Sequence, residues 1–203
     1  MLIVGLTGGI GSGKSFVARK LHDFGIPIYF ADKEAKRLMN SSSDLKQKVK
    51  DLLGKSAYHR NGRLNRAFVG QAIFGDPKLL KAINNLVHPA VKDDFLSWTS
   101  DQKAPYVIEE SAIIFENSLN PGFDCTILVV VDKEERIRRV MSRDKTTREQ
   151  VLSRMKRQWS DEKKIPLADY IIDNNCTDIK DLEVQLEKLH KALLSKSKSN
   201  KRK

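Results

Sequence analysis

The sequence predicts an α/β protein: a five-stranded parallel sheet flanked by helices. Three observations carry that prediction. Five short apolar runs rich in β-branched residues occupy 2–6, 26–30, 106–108, 126–131 and 170–172. Segments with helical apolar spacing separate most of them. A glycine-rich turn joins the first run to the first such segment. Runs that are continuously apolar, rather than alternating, suit strands buried on both faces, as in parallel sheets. Strands that alternate with helices need crossover connections, which place helices over the sheet.

The helical segments fall at 14–24, 64–74, 89–98, 134–142, 147–159 and 179–194. The last repeats Ile179, Leu182, Leu186, Leu189 and Leu193, a stripe expected to face the core. Two stretches interrupt the alternation. Residues 32–88 hold no convincing strand and read as a helical insertion after the second strand. Residues 142–166 are dense in charge and lie between the helix after the fourth strand and the fifth strand, where a lid would be placed. The expected organisation is one domain over 1–203. Its core is formed by about 1–31, 89–141 and 167–194, and a basic, disordered tail follows at 195–203.

Composition narrows the function classes. The chain has 203 residues, 40% hydrophobic and 31% charged, which excludes gross disorder. No run approaches the roughly 18 apolar residues a spanning helix needs, and the first residues lack the charged start of a signal peptide. Two cysteines, Cys125 and Cys176, support neither a disulfide framework nor a zinc cluster, so the cytoplasm is the expected compartment. The net charge is +11, and the tail supplies five of the basic residues; without them the charge falls to +6. Such a tail reads as solvated, and nucleic acid is not an expected partner.

The chemistry is carried by Gly8-Gly9-Ile10-Gly11-Ser12-Gly13-Lys14-Ser15, which fits G-x-x-x-x-G-K-S/T between a strand and a helix. This is the phosphate-binding loop of P-loop nucleotide-binding proteins, so the predicted sheet is a P-loop NTPase fold. Glycines turn main-chain N–H groups inward without a Cβ in the way, and the helix N-terminus adds partial positive charge. Gly9, Gly11, Ser12, Gly13, Lys14, Ser15 and Phe16, the last through its main-chain N–H, form the expected ATP site. Lys14 reaches the β- and γ-phosphates and the Ser15 hydroxyl binds Mg²⁺. A GTPase would carry an Asn-Lys-x-Asp stretch, and none is present. An acceptor-binding insertion and a lid favour a small kinase.

The ordered series of motifs resembles the dephospho-CoA kinase family along nearly the whole chain. After the opening Gly5–Ser15 come Ala31-Asp32-Lys33-Glu34-Ala35, Leu64-Asn65-Arg66 with Ile73-Phe74, and His88-Pro89. Ile113-Ile114-Phe115-Glu116, then Arg139 with Arg143-Asp144, and Ala168-Asp169-Tyr170-Ile171-Ile172-Asp173-Asn174-Asn175 complete it. The resemblance implies ATP-dependent phosphorylation of the ribose 3′-hydroxyl of dephospho-CoA, with ATP and dephospho-CoA as ligands, Mg²⁺ accompanying ATP, and no tightly bound cofactor. It also implies a nucleotide core, a helical CoA-binding insertion and a lid.

The resemblance makes Asp32 the base that accepts the hydroxyl proton, although an aspartate there equally suits a helix N-cap. Arg66 is the candidate cation for the acceptor pyrophosphate. His88, preceding Pro89, is expected at a helix start and as a substrate contact. Glu110 ends the third strand and can hold the Mg²⁺ hydration shell. Glu116 matches the family's glutamate as a substrate contact or a structural ion pair. Arg139 and Arg143, four apart on one helix face, can neutralise the transferring phosphoryl group. Asn174 and Asn175 contact adenine or shape the turn. The chain departs from the family pattern with Phe30 for the first aspartate, Ala112 for a proline, Phe16 for a threonine and Cys176 for a glycine. The alternatives are another P-loop kinase of nucleotides or small metabolites, and a nucleotide-dependent switch or binding protein.

Overall fold

The computed structural model describes residues 1–175 and 178–200, so Cys176 lies outside the described residues. The chain forms two compact units, Met1–Phe30 with Gln102–Lys203, and Ala31–Asp101.

The first unit is built on strands β1 (Leu2–Thr7), β2 (Ile28–Phe30), β3 (Tyr106–Glu110), β4 (Cys125–Val130) and β5 (Tyr170–Asp173). Their order is β2-β3-β1-β4-β5, and every neighbouring pair is parallel. The five apolar runs are therefore the five strands. Helices α1 (Lys14–Asp23) and α9 (Ile179–Asn200) pack on the face carrying Val4, Leu6, Ile108, Ile127 and Val129. Val17, Ala18 and Leu21 of α1 and Leu182, Leu186, Leu189 and Leu193 of α9 complete that core. Burial of a leucine side chain contributes about 1.5–3 kcal/mol, so this stripe outweighs any helix propensity. On the other face, a Cβ on Gly5 would stand 2.9 Å from Ile114 Cδ1 and 3.0 Å from Phe123, so the glycine lets that cover approach the strand closely. Helices α6 (Lys133–Asp144), α7 (Arg148–Met155) and the single turn α8 (Asp161–Lys164) belong to the same unit.

The second unit contains α2 (Ala31–Ser41), α3 (Ser43–Leu53), α4 (Arg66–Phe74) and α5 (Pro77–Ser100). Arg37 joins α2 to α5 by its ion pair with Asp94, and also pairs with Glu34 on its own helix. Asp76 caps α5 by accepting from Lys78 N and Leu79 N, at 2.9 and 3.0 Å.

Four expectations are corrected. Pro89 does not start a helix. It lies inside α5, and His88 is helical rather than extended. A proline there removes the bond to the carbonyl of Asn85 and crowds it, but Ile83, Val87, Val91 and Phe95 bury one stripe on both sides of it and keep the helix continuous. The helical unit thus reaches Asp101, beyond the 32–88 read as an insertion, and residues 89–101 do not belong to the sheet unit. Residues 195–200 are helical, not a disordered tail. Four residues after Leu193, Ser197 is 2% exposed and donates to Pro105 O at 2.7 Å, while Lys196 Nζ donates to Asp124 O at 2.8 Å. Lysines also suit the negative end of a helix dipole. Finally, Ile179 is half exposed, so the core stripe of α9 begins at Leu182.

No helix among the described residues is long and apolar enough to cross a membrane. Glu109 is a carboxyl largely shielded inside the sheet, opposite Gly5 on β1 and Tyr29 on β2, and burial pushes its pKa from 4.5 up to about 7. The folded protein therefore keeps a proton that the unfolded chain releases from about pH 4.5, and Glu109 lowers stability progressively as pH rises from about 4.5 to 7. Glu109→Gln should match the parent near pH 4.5 and exceed it by up to about 3 kcal/mol above pH 7. Urea unfolding across that range measures the difference; a pH-independent difference would contradict the shift.

Candidate active site

β1 ends at Thr7 and α1 begins at Lys14. Between them Gly11 and Gly13 have φ of 83° and 86°, the left-handed region that favours glycine. Gly13 stands at the N-cap of α1, and Ser12 N closes the turn on Gly9 O at 3.0 Å. Lys14 and Ser15 open the helix, so their N–H groups have no acceptor within it and are available to an anion.

The register pairs Leu6 of β1 with Glu110 of β3. That alignment sets Glu110, 3% exposed, beside the head of α1. Its Oε1 lies 3.2 Å from Lys14 Nζ and accepts from Ser15 Oγ at 3.4 Å. The loop lysine, the loop hydroxyl and a buried carboxylate thus converge on one point. The hydroxyl and the carboxylate are hard oxygen donors next to a phosphate-binding loop, which fits Mg²⁺, an ion usually held by one or two protein oxygens plus phosphate and water. Among the described residues no group of three or more His, Cys, Asp or Glu side chains gathers to hold a metal.

The loop is enclosed by polar side chains. Asn174, 7% exposed, donates from Nδ2 to Ser12 O at 2.8 Å. Asn175 Oδ1 accepts from Asp132 N at 2.8 Å, and its Nδ2 donates to Asp173 Oδ1 at 2.8 Å. Both asparagines, read as adenine contacts or turn-shapers, hold the loop and the turn after β5 in this structure. Phe16 N–H donates to Gly13 O at 2.8 Å, so this main-chain donor, expected to face phosphate, is used inside the loop. Arg139 donates from Nε to Glu135 Oε1 at 2.7 Å and from Nη2 to Asn174 O at 3.0 Å, which keeps its guanidinium close to Gly13. Hydrogen bonds from Arg138 and Arg139 hold the Glu135 carboxyl down at about 2. Arg143 is exposed and grips Asp144 at 2.7 and 3.2 Å; Asp144 also accepts from Arg154 at 2.6 Å.

Glu116 is paired internally. Its Oε1 accepts from Trp159 N at 3.1 Å and lies 2.6 Å from Nζ of Lys164, which is 0% exposed. Arg136 and Gln158, which the motifs do not mark, also reach the loop at Ile10. The available signal is spacing: Arg136 precedes Arg139 by three and Arg143 by seven, one arginine stripe along α6. In the helical unit, Asp32 is exposed in the first turn of α2, inside the helix rather than at its N-cap. Arg66 is the exposed first residue of α4, after Asn65, which caps that helix through Phe68 N at 3.2 Å. His88 is half-buried in α5, and burial pushes its pKa down.

The family model described as dephospho-CoA kinase matches residues 2–181. The chain belongs to the dephospho-CoA kinase family. A dephospho-CoA kinase of Bacteroides fragilis is 34% identical over 173 residues, 85% of this chain and 84% of that one. A Thermus thermophilus protein of known crystal structure is 34% identical and covers 96% of this chain and 97% of its own, with a TM-score of 0.82. The structure of a dephospho-CoA kinase from Campylobacter jejuni, 21% identical, shares the fold at a TM-score of 0.60 and covers 94% of this chain and 96% of its own. The kinase activity and the P-loop sheet follow from family and fold together.

Lys164 offers a test of the internal pairing. Lys164→Met leaves the Glu116 charge buried and unpaired, and should cost about 3–5 kcal/mol. The double variant Glu116→Gln/Lys164→Met should recover part of that loss. Urea denaturation of the three proteins checks it; equal losses in single and double variants would contradict the pairing.

Proposed function

We propose that the chain transfers the γ-phosphoryl group of ATP to the ribose 3′-hydroxyl of dephospho-CoA, giving coenzyme A and ADP, the last step of coenzyme A synthesis. The observation that carries this reading is the convergence of Lys14, Ser15 and Glu110 at the phosphate loop of a chain matched by its family from residue 2 to 181.

Main-chain N–H groups of Gly9, Gly11, Gly13, Lys14 and Ser15, with Ser12 closing the turn, hold the triphosphate. Lys14 exchanges Glu110 for the β- and γ-phosphate oxygens. Ser15 and Glu110 would hold Mg²⁺, which would offset charge on the phosphates. Asp32 accepts the proton of the 3′-hydroxyl as its oxygen attacks the γ-phosphorus and ADP leaves; such base catalysis contributes about 10²–10⁴-fold. Arg139, beside Gly13, and Arg143, which releases Asp144, offset charge on the phosphoryl group in transit. Arg66 and neutral His88 bind the acceptor in the helical unit, and Glu116 keeps Lys164 as its ion-pair partner. Residues 142–166 act as a lid that excludes water, a competing acceptor. Work on free ATP and dephospho-CoA in the cytoplasm, without nucleic acid, completes the reading.

An acceptor panel with ATP and Mg²⁺ tests the substrate. Dephospho-CoA should be phosphorylated, and product from a nucleoside monophosphate but none from dephospho-CoA would overturn it. Lys14→Ala should lose at least about 100-fold in turnover. It also strips buried Glu110 of its cation and should lower stability, so turnover is compared at a temperature where circular dichroism shows both proteins folded; near-parental turnover there would contradict the role of Lys14. Asp32→Asn should lower kcat by about 100-fold or more with nearly unchanged ATP affinity; near-normal turnover would remove the base.

A further inference from the structure

The tip of the phosphate loop is held from outside by two side chains for which the transfer chemistry has no use. Ile10 N–H donates to Gln158 Oε1 at 2.7 Å, and Ile10 O accepts from Arg136 Nε at 2.9 Å. Both polar main-chain groups of one residue are thus turned away from the phosphates and bound to protein. Arg136 is 6% exposed and fills the space beside Gly9, where a Cβ would stand 2.0 Å from its Nη2. Its Nη1 donates to Asp161 Oδ2 at 3.1 Å, and Gln158 Nε2 reaches back to Ala112 O at 3.4 Å. Gln158 and Asp161 belong to the stretch after α7 that Glu116 grips through Trp159 N and Lys164.

We propose, on the basis of the family's phosphoryl transfer, that Gln158 and Arg136 are positioning residues. They fix the loop through Ile10 before ATP arrives, and they make nucleotide affinity depend on the docking of residues 158–164.

Two arguments support this. Holding one residue in one backbone well costs about 1–2 kcal/mol, and glycines lose the most. A loop with Gly8, Gly9, Gly11 and Gly13 would incur that cost on binding unless folding had already met it. The network is also a poor way to gain stability alone. Asp161 Oδ1, Glu116 Oε2 and Lys164 Nζ are buried without an aligned hydrogen-bond partner, an arrangement that ordinarily destabilises. Burial also raises the Asp161 carboxyl above its usual range, against the pull of Arg136. What the network achieves is geometric: Arg136 and Gln158 both end on Ile10, and their other contacts, Asp161 and Ala112 O, hold those two side chains in place.

Gln158→Ala tests the assignment, with Mg²⁺–ADP titrated by calorimetry and steady-state kinetics on both substrates. Nucleotide affinity should fall about tenfold, the scale of one lost hydrogen bond to a buried group. KM for ATP should rise in step, while KM for dephospho-CoA and kcat stay within about twofold. Arg136→Lys keeps the charge but loses Nε, and should weaken nucleotide binding as Gln158→Ala does. Unchanged nucleotide affinity in folded Gln158→Ala, or equal rises in both KM values, would overturn the proposal. If Gln158→Ala does not fold, Arg136→Lys decides, and unchanged affinity there overturns it. Activity of the parent protein on dephospho-CoA tests the family reading separately.

Discussion

Between Thr7 and Lys14 the chain turns with almost no side chains, and neighbouring polar groups occupy the space where Cβ atoms would stand. The Arg136 guanidinium fills it at Gly9, and the Asn174 amide at Gly13. The glycines therefore do two things. They reach left-handed φ at Gly11 and Gly13, and they let the surrounding polar groups press against main chain. A single methyl at Gly9 or Gly13 would displace the group that holds the loop. This close approach, more than the presence of Lys14, ties the rest of the nucleotide unit to the loop, from the end of β5 to α6 and the stretch after α7.

The parallel register works with the same constraint. Pairing Leu6 with Glu110 makes the carboxylate at the end of β3 a neighbour of the first turn of α1. Shifting that register by one residue would bring Glu109 to this point and turn Glu110 to the other face. The two glutamates thus face different fates from adjacent positions: Glu110 meets a lysine and a serine, and Glu109 is held near neutrality by burial.

The sequence made the sheet legible because buried parallel strands are continuous apolar runs and a phosphate loop has a fixed spacing. It was silent where the deciding partner is far along the chain. Pro89 reads as a boundary until the stripe from Ile83 to Phe95 is seen to be buried on both sides of it. Residues 195–200 read as solvated until Ser197 and Lys196 meet the carbonyls of Pro105 and Asp124. Asn174 was found by motif, but its partner, Ser12 O, is 162 residues away. Arg136 and Gln158 leave little local trace, since neither the N–H nor the carbonyl of Ile10 depends on which side chain Ile10 carries.

Charge at the site follows one rule, with a consequence for how it would accept a triphosphate. Lys14 meets Glu110, Arg136 meets Asp161, Arg139 meets Glu135 and Arg143 meets Asp144. An incoming anion therefore exchanges with carboxylates rather than meeting bare cations. The exchange is not equally easy at each pair. Arg143 has a side chain 63% exposed, and such a pair contributes only about 0–1 kcal/mol, so it can be surrendered to phosphate at little cost. The side chains of Arg136 and Asp161 are 7% and 15% exposed, and separating them would leave a charge stranded in a poorly solvated place. Burial thus divides one arginine stripe on α6 into a fixed end that shapes the loop and a free end that can move to the ligand. Arg139 lies between them, half-buried, with one hand on Glu135 and the other on the carbonyl of Asn174.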